Sequence, residues 1–427
     1  MSPELSVVIL LGINLGLVWL LLAAPLGRRT LRLRRTFEAD AMKIWSAVFP
    51  LGANADWHHS VISSTRIGDG RVRQAYAHVD RTGKPILRTL QVSDVTAHGQ
   101  EPGQERLAFC ARVVDDSALD PSFWRHFRER RSLSATASGS VLTIEQTDDY
   151  RGLAFLLFRY FSLRRETSAL EQWLRKGVSV PNGLFERSPV QAGLAVLSTL
   201  LLWPFFGLHL YGLMLSVMLT VVIVLHELGH MAAYRACGHR HVRMIFIPFL
   251  GGIAIGGRPY NSLFEVAFCA LMGAGLSAFL VPVLSALHVL LARDGAFHAE
   301  AGRIVLVFLA ILGAFNLLNL LPMQRFDGGQ VLRQVFSSRP ALVVASFAVA
   351  LLVLGTGWRV GLPPMALLAG LAVFTLLSML GSRSAVKPRH SLVPMTNGER
   401  ILAGCGLYAA VGLHGSAIVY ACDRLFG

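Results

Sequence analysis

From Pro189 to its end the chain is dominated by apolar runs, which constrain its fold more than any other feature. Seven fall at about 191–208, 210–233, 263–291, 303–321, 341–356, 364–381 and 400–420. Each is near the ~20 residues that a helix needs to cross a bilayer. In hydrocarbon every backbone N–H and C=O must be satisfied within the segment, so such runs fold as helices. An eighth run, Leu5–Leu26, is followed at once by "RRTLRLRR" (Arg28–Arg35). A cleaved signal carries its positive charge before the apolar region, so this reads as an uncleaved anchor with its arginines in the cytoplasm. The chain is 53% hydrophobic and 15% charged, with a mean hydropathy of +0.51. The expectation is a polytopic α-helical membrane protein of about eight transmembrane helices with one soluble piece.

The net charge of +14 does not point to nucleic acid. Between Thr36 and Arg187 there are 20 Lys and Arg against 18 Asp and Glu, which leaves 20 against 8 for the rest of the chain. The excess therefore lies beside the apolar spans, where basic residues mark cytoplasmic ends. Of those 20, only Arg293, Arg303, Arg359 and Arg424 fall on the opposite side of the implied topology. The five cysteines are scattered and lack CxxC spacing, so neither a disulfide framework nor a thiolate metal site follows.

The stretch before Pro189 has soluble composition. Runs such as "SLSATASGSVLTIEQTDDY" (Ser132–Tyr150) alternate with period two, as in half-exposed strands. A helix is expected around Ala39–Val48, and Gly152–Gly177 reads as one long amphipathic helix closing the domain. Early helix, Trp57, several strands and long final helix resemble the helix-grip order of START and polyketide-cyclase-like domains. That resemblance implies an α+β domain around an apolar pocket, and an apolar ligand within it.

The chemistry concentrates in "VVIVLHELGHMAAY" (Val221–Tyr234). His226 and His230 are four apart, so on a helix both imidazoles leave one face and can reach one Zn²⁺. Glu227, one step round, is placed to act as general base, and Gly229 leaves room for a neighbouring backbone. Three ionisable groups in five residues of a membrane helix need a compensating partner, and a metal supplies one. Two histidines leave tetrahedral zinc short of a protein ligand. The later "FNLLNLLPMQRFDGG" (Phe315–Gly329) offers Asp327, just past a Pro-broken helix and on the same side of the membrane.

"HELGH" within a membrane helix together with "NLLPMQRFDGG" resembles the site-2 protease family of intramembrane zinc metalloproteases. The family pattern N-x-x-P-x-x-x-x-D-G falls on Asn319, Pro322, Asp327 and Gly328 without a gap. "IPFLGGIAIGG" (Ile247–Gly257) resembles the membrane-associated β-hairpin that follows the zinc helix in that family. The resemblance covers roughly 189–339. It implies one Zn²⁺ held by His226, His230 and Asp327, with Glu227 as base. Asn319, Pro322, Gly251 and Gly252 would serve the unwound substrate. The sequence departs from the family at Gly275-Leu276, where Gly-Pro is frequent, and it leaves no room for a PDZ domain between the motifs.

The chain thus divides into an anchor (1–27), a cytoplasmic START-like domain (28–187), an intramembrane metalloprotease core (188–339) and C-terminal transmembrane helices (340–427). The expected activity is zinc endopeptidase cleavage of a helical membrane-protein substrate, regulated by the START-like domain. The expected place is the bacterial inner membrane, with the active-site opening and soluble domain on the cytoplasmic side. The alternative is a membrane-tethered binder of a lipid or apolar ligand whose metal site is regulatory or inactive. Other polar residues carry plainer expectations. Glu265 reads as a snorkelling carboxylate, His288 as solvated at the outer interface, and His239 and His241 as a solvated cluster around Arg240. His58 and His59 read as domain surface.

Overall fold

The computed structural model describes residues 19–20, 24–51, 57–58, 60–80, 84–98, 106–136, 139–177, 188–239, 242–247, 251–292, 295–323, 326–379 and 391–427. The chain divides into two compact units, split between 183 and 184, with 392–427 belonging to the second.

The first unit is an antiparallel sheet with two helices. Strands β1 (Pro25–Phe37), β2 (Val61–Gly68), β3 (Arg71–Val79), β4 (Pro85–His98), β5 (Arg106–Asp116), β6 (Arg128–Thr136) and β7 (Gly139–Arg151) lie in the order β1-β7-β6-β5-β4-β3-β2. Six strands therefore meander, and the first returns to pair with the last. Helix α1 (Ala41–Val48) follows β1, and the long α2 (Leu153–Lys176) follows β7. This is the order expected of a helix-grip domain. Asp40 caps α1 by accepting from the N–H groups of Met42 and Lys43. The apolar side of α1 (Ile44, Val48) and of α2 (Leu163, Leu170) packs on Phe37, Leu133, Leu142 and Ile144 of the sheet.

The basic octet Arg28–Arg35 is not a flank of polar chain but the middle of β1. Its register sets Arg28 opposite Asp149, Arg29 opposite Asp148 and Arg32 opposite Glu145. Opposite charges facing across a ladder stabilise it by a few tenths to about 1 kcal/mol per pair. Arg28 and Arg32 ion-pair with Asp149 and Glu145 at 3.5 and 3.3 Å. The expected anchor falls largely on residues 1–18 and 21–23, which lie outside the described residues.

The second unit is helical: α3 (Ser188–Leu202), α4 (Leu210–Ala236), α5 (Leu263–Ala278), α6 (Leu280–Leu291), α7 (Gly295–Asn319), α8 (Asp327–Val335), α9 (Arg339–Arg359), α10 (Pro364–Met379) and α11 (Asn397–Phe426). Among the described residues six segments are long and apolar enough to cross a membrane: 189–206, 210–236, 263–291, 299–319, 339–359 and 397–426. The seventh expected span is the 16-residue α10, which is short of the bilayer requirement; residues 380–390 beyond it lie outside the described residues. Between α4 and α5 runs the expected hairpin, β8 (Arg243–Ile247) paired antiparallel with β9 (Gly251–Ile255). Helix α5 is continuous through Gly275-Leu276.

Small residues let these helices approach closely, as small residues do at membrane helix interfaces. Ala267, Ala270 and Ala274 of α5 meet Ala403, Leu407 and Ala410 of α11 and Val331 and Leu332 of α8 in one core. Val222 of α4, Leu306, Leu309 and Leu312 of α7 and Ala417 and Ala421 of α11 form a second. Large apolar side chains such as Val344, Phe347 and Leu351 stay exposed on α9, the pattern of a lipid-facing surface.

Candidate metal centre

The middle of α4 brings His226 and His230 onto one face, as the four-residue spacing requires, and their Nε2 atoms stand 3.1 Å apart. Asp327 opens α8 and places Oδ2 3.1 Å from His226 Nε2 and 3.4 Å from His230 Nε2. Residues roughly a hundred positions apart in sequence thus present three ligand atoms to one point. Four ligands at 2.0–2.1 Å from zinc stand about 3.3–3.4 Å from one another, so the spacing fits a tetrahedral ion with one position open. Glu227 offers an oxygen within 4.8 Å of the histidine ligand atoms.

The hydrogen bonds behind these atoms decide which lone pairs face inward. Asn316 Nδ2 donates to Leu312 O at 2.9 Å, which leaves its Oδ1 to accept from His226 Nδ1, also at 2.9 Å. His230 Nδ1 donates to the Cys269 carbonyl at 2.7 Å. With both Nδ1 atoms protonated, the neutral form of each imidazole aims an Nε2 lone pair at the shared point. Asp327 Oδ2, buried there, has no hydrogen-bond partner among the described residues. Two lone pairs and a carboxylate oxygen converging in a buried place repel unless a cation lies between them. The donor set fits zinc.

Glycines make the convergence possible. A Cβ on Gly328 would sit 1.8 Å from Leu320 O and one on Gly329 1.9 Å from Met323 O, so only Asp-Gly-Gly lets α8 start against the end of α7. A Cβ on Gly273 would lie 2.5 Å from His230 Nε2, which makes α5 the third wall of the centre.

The remaining expected residues are placed as follows. Gly251 and Gly252 open β9, and a Cβ on Gly252 would lie 2.3 Å from Glu227 Cγ, so the hairpin runs against the base. The Ala254 backbone N–H is hydrogen-bonded to the Glu227 carboxylate. Asn319 turns to its own helix, donating from Nδ2 to Phe315 O at 3.0 Å. Pro322 lies in the break between α7 and α8. Asn316, one turn before Asn319, escaped the sequence reading, although an amide within so apolar a helix is a signal.

Several plainer expectations are corrected. Glu265 does not snorkel: it is buried, accepting from Asn261 N–H at 2.6 Å and paired with Arg258 at 2.8 Å and His239 at 2.7 Å. His239 is accordingly buried rather than solvated. Together they clasp the end of α4 to the start of α5, a long-range pairing that local composition does not reveal. His288 is also buried, 2.9 Å from the Tyr420 hydroxyl of α11. His58 lines a cavity of the sheet unit rather than its surface. His59 and His241 lie outside the described residues.

No protein-family model and no curated protein matches the chain. Among solved structures, a START superfamily protein from Mycobacterium smegmatis is similar at 13% identity, with a TM-score of 0.24, over 36% of this chain and 99% of that one. A protein from Mesorhizobium loti is similar at 18% identity and a TM-score of 0.23, over 35% of this chain and 98% of that one.

Proposed function

We propose that the helical unit is an intramembrane zinc endopeptidase that cuts a helical membrane-protein substrate, as the site-2 protease resemblance implies. The observation that carries this reading is the meeting of His226 Nε2, His230 Nε2 and Asp327 Oδ2 within 3.1–3.4 Å, beside Glu227. Zinc held there would supply Lewis acidity and bring the pKa of a bound water toward about 7. Glu227 takes the proton of the attacking water and returns it to the leaving amine, which one carboxylate can do without moving far. Asn316 and the Cys269 carbonyl hold the two imidazoles in the ligating tautomer.

A helical substrate hides its carbonyls in its own hydrogen bonds, so it must unwind before it is cut. Strand β9 supports a way to hold the unwound segment. The Ala254 N–H interacts with Glu227 and Gly252 lies against the Glu227 side chain, so β9 runs beside the base. An extended substrate added along β9 would pass the catalytic carboxylate. Asn319, Pro322, Gly251 and Gly252 border that path by the resemblance. The membrane in question is by the same reading the bacterial inner membrane, with the opening to the cytoplasm.

The test is co-expression with a single-pass membrane substrate, together with zinc analysis of the purified protein. Wild type carries one zinc per chain and cuts. Glu227→Gln keeps its zinc and loses cleavage by at least about a hundredfold, and His226→Ala loses both. Full cleavage by Glu227→Gln overturns the assigned mechanism, whereas absence of cleavage by the wild type favours the ligand-binding alternative, which the cavity of the sheet unit supports.

A further inference from the structure

The two faces of the sheet carry charge differently. The face that packs on α1 and α2 holds its charges in pairs. Arg131 bridges Glu129 and Glu166 at 2.7 and 2.6 Å, and Arg88 meets Asp116 at 2.9 Å. The register gathers a second set of arginines on the opposite, open face. Arg28, Arg32 and Arg34 of β1, Arg128 and Arg130 of β6 and Arg112 of β5 share it. Arg71 and Arg73 of β3 extend it towards the far edge. All eight are exposed.

Four carboxylates accompany these arginines. Asp149 and Glu145 are taken up by Arg28 and Arg32. Asp94 lies in a bulge of β4, and Asp115 stands opposite Thr89. Eight against four leaves an excess of four positive charges. Among the described residues Arg34, Arg73, Arg112, Arg128 and Arg130 have no carboxylate within ion-pair distance. The chain from Thr36 to Arg187 is nearly balanced overall, so the excess belongs to one face and not to the unit at large. Between β4, β5 and β6 that face is hollowed by about 470 Å³, where Arg112, Arg128 and Arg130 outnumber Asp94 and Glu145.

We propose that this open face lies on the bilayer and binds the headgroups of negatively charged phospholipids. Both ends of the sheet unit lead into apolar sequence. Arg28 follows the run that ends at Leu26, and α2 ends at Lys176 shortly before α3 begins at Ser188. Such tethering makes a bilayer the partner present at the highest effective concentration. Guanidinium groups match phosphodiesters in charge and geometry. The attraction of an anionic leaflet fades within a screening length of about 8 Å. A strand rises ~3.3 Å per residue, so Arg28 to Arg34 covers about 20 Å. Only a sheet lying along the surface keeps all these arginines within reach of it. Nucleic acid fits less well. No aromatic ring stands on this face in β1, β7, β6 or β5, and single strands bind by stacking on such rings. The assignment requires the apolar runs to lie in a bilayer and is independent of peptidase activity.

The test is arginine footprinting of the full-length protein with p-hydroxyphenylglyoxal, read residue by residue by mass spectrometry. Nanodiscs of phosphatidylcholine alone are compared with nanodiscs that also contain phosphatidylglycerol. In the anionic discs Arg112, Arg128 and Arg130 are expected to react at least about fivefold more slowly, and about 0.5 M salt is expected to restore their rates. Arg175, exposed on α2 and away from this face, is expected to react alike in both. Replacing Arg112, Arg128 and Arg130 together by glutamine is expected to release Arg34 and Arg73 from protection while the melting temperature is kept. Equal rates in the two kinds of disc overturn the proposal. So does protection of Arg175 as strong as that of the face, or protection of Arg34 and Arg73 that survives in the folded triple variant. Protection by added RNA in phosphatidylcholine discs, without any by phosphatidylglycerol, would give the face to nucleic acid instead.

Discussion

Asn316 and Asn319 stand one turn apart on α7, and only the first touches His226. Its amide holds His226 in the tautomer that frees Nε2, so Asn316→Ala is expected to lower zinc affinity about 10–100-fold. Competition with a chelator of known affinity reads this without reference to cleavage; unchanged affinity would show that the hydrogen bond does not set the tautomer. Arg131 is the matching residue of the sheet unit. Arg131→Met strands Glu129 and Glu166 without their cation, at a cost of roughly 3–5 kcal/mol. Thermal unfolding should show a fall of many degrees. The residues that meet were legible because HExxH at helical spacing and Asp-Gly after a broken helix are local patterns. The supporting partners were not. A carbonyl on Cys269 carries no sequence signal, and Asn316 differs from Asn319 only by the face on which a helix rotation puts it.

Among the elements, the hairpin makes the sharpest claim. In Ala254→Pro the strand loses the N–H that interacts with Glu227. Cleavage of a membrane substrate is expected to fall at least tenfold, with zinc content and expression unchanged. A variant that cuts at the wild-type rate would remove substrate capture along β9. Helix α2 was legible almost to the residue, expected at Gly152–Gly177 and found at Leu153–Lys176, because its apolar period is strong and glycine ends it. The hairpin was expected from the family resemblance of "IPFLGGIAIGG", and its glycines Gly251 and Gly252 fall within β9. Strand β1 was misread because five arginines in eight residues outweighed the period-two leucines Leu31 and Leu33 between them. Strand β6 hid its inward charges similarly: "RERR" looks like a solvated run, yet alternation puts Glu129 and Arg131 on the face of Leu133. What faces a cavity obeys the pleat, not the rule that charges lie outside.

For the whole molecule, acidification bears on the sheet unit through a buried histidine. Burial lowers the His58 pKa, with Glu166 of α2 opposing this and Arg131 of β6 adding to it. The unfolded chain then takes up the proton first as pH falls through about 6.5, so it is favoured on acidification. Hydrogen exchange in β2 and β3 should therefore accelerate between pH 7 and pH 5, and His58→Gln should flatten that dependence. An unchanged profile in His58→Gln would assign the effect to other groups.

The pairing of β1 with β7 also sets an order of events during synthesis. Thr30 and Thr147, whose hydroxyls meet at 2.8 Å, are 117 residues apart. At about 5–20 residues per second, β1 leaves the ribosome on the order of ten seconds before its partner exists. An unpaired strand of ordinary composition would invite association with other chains over that interval. The arginines that later face Asp149 and Glu145 keep it hydrated and mutually repelling until then. The same side chains thus serve as a chaperone in the nascent chain and as a zipper in the finished one.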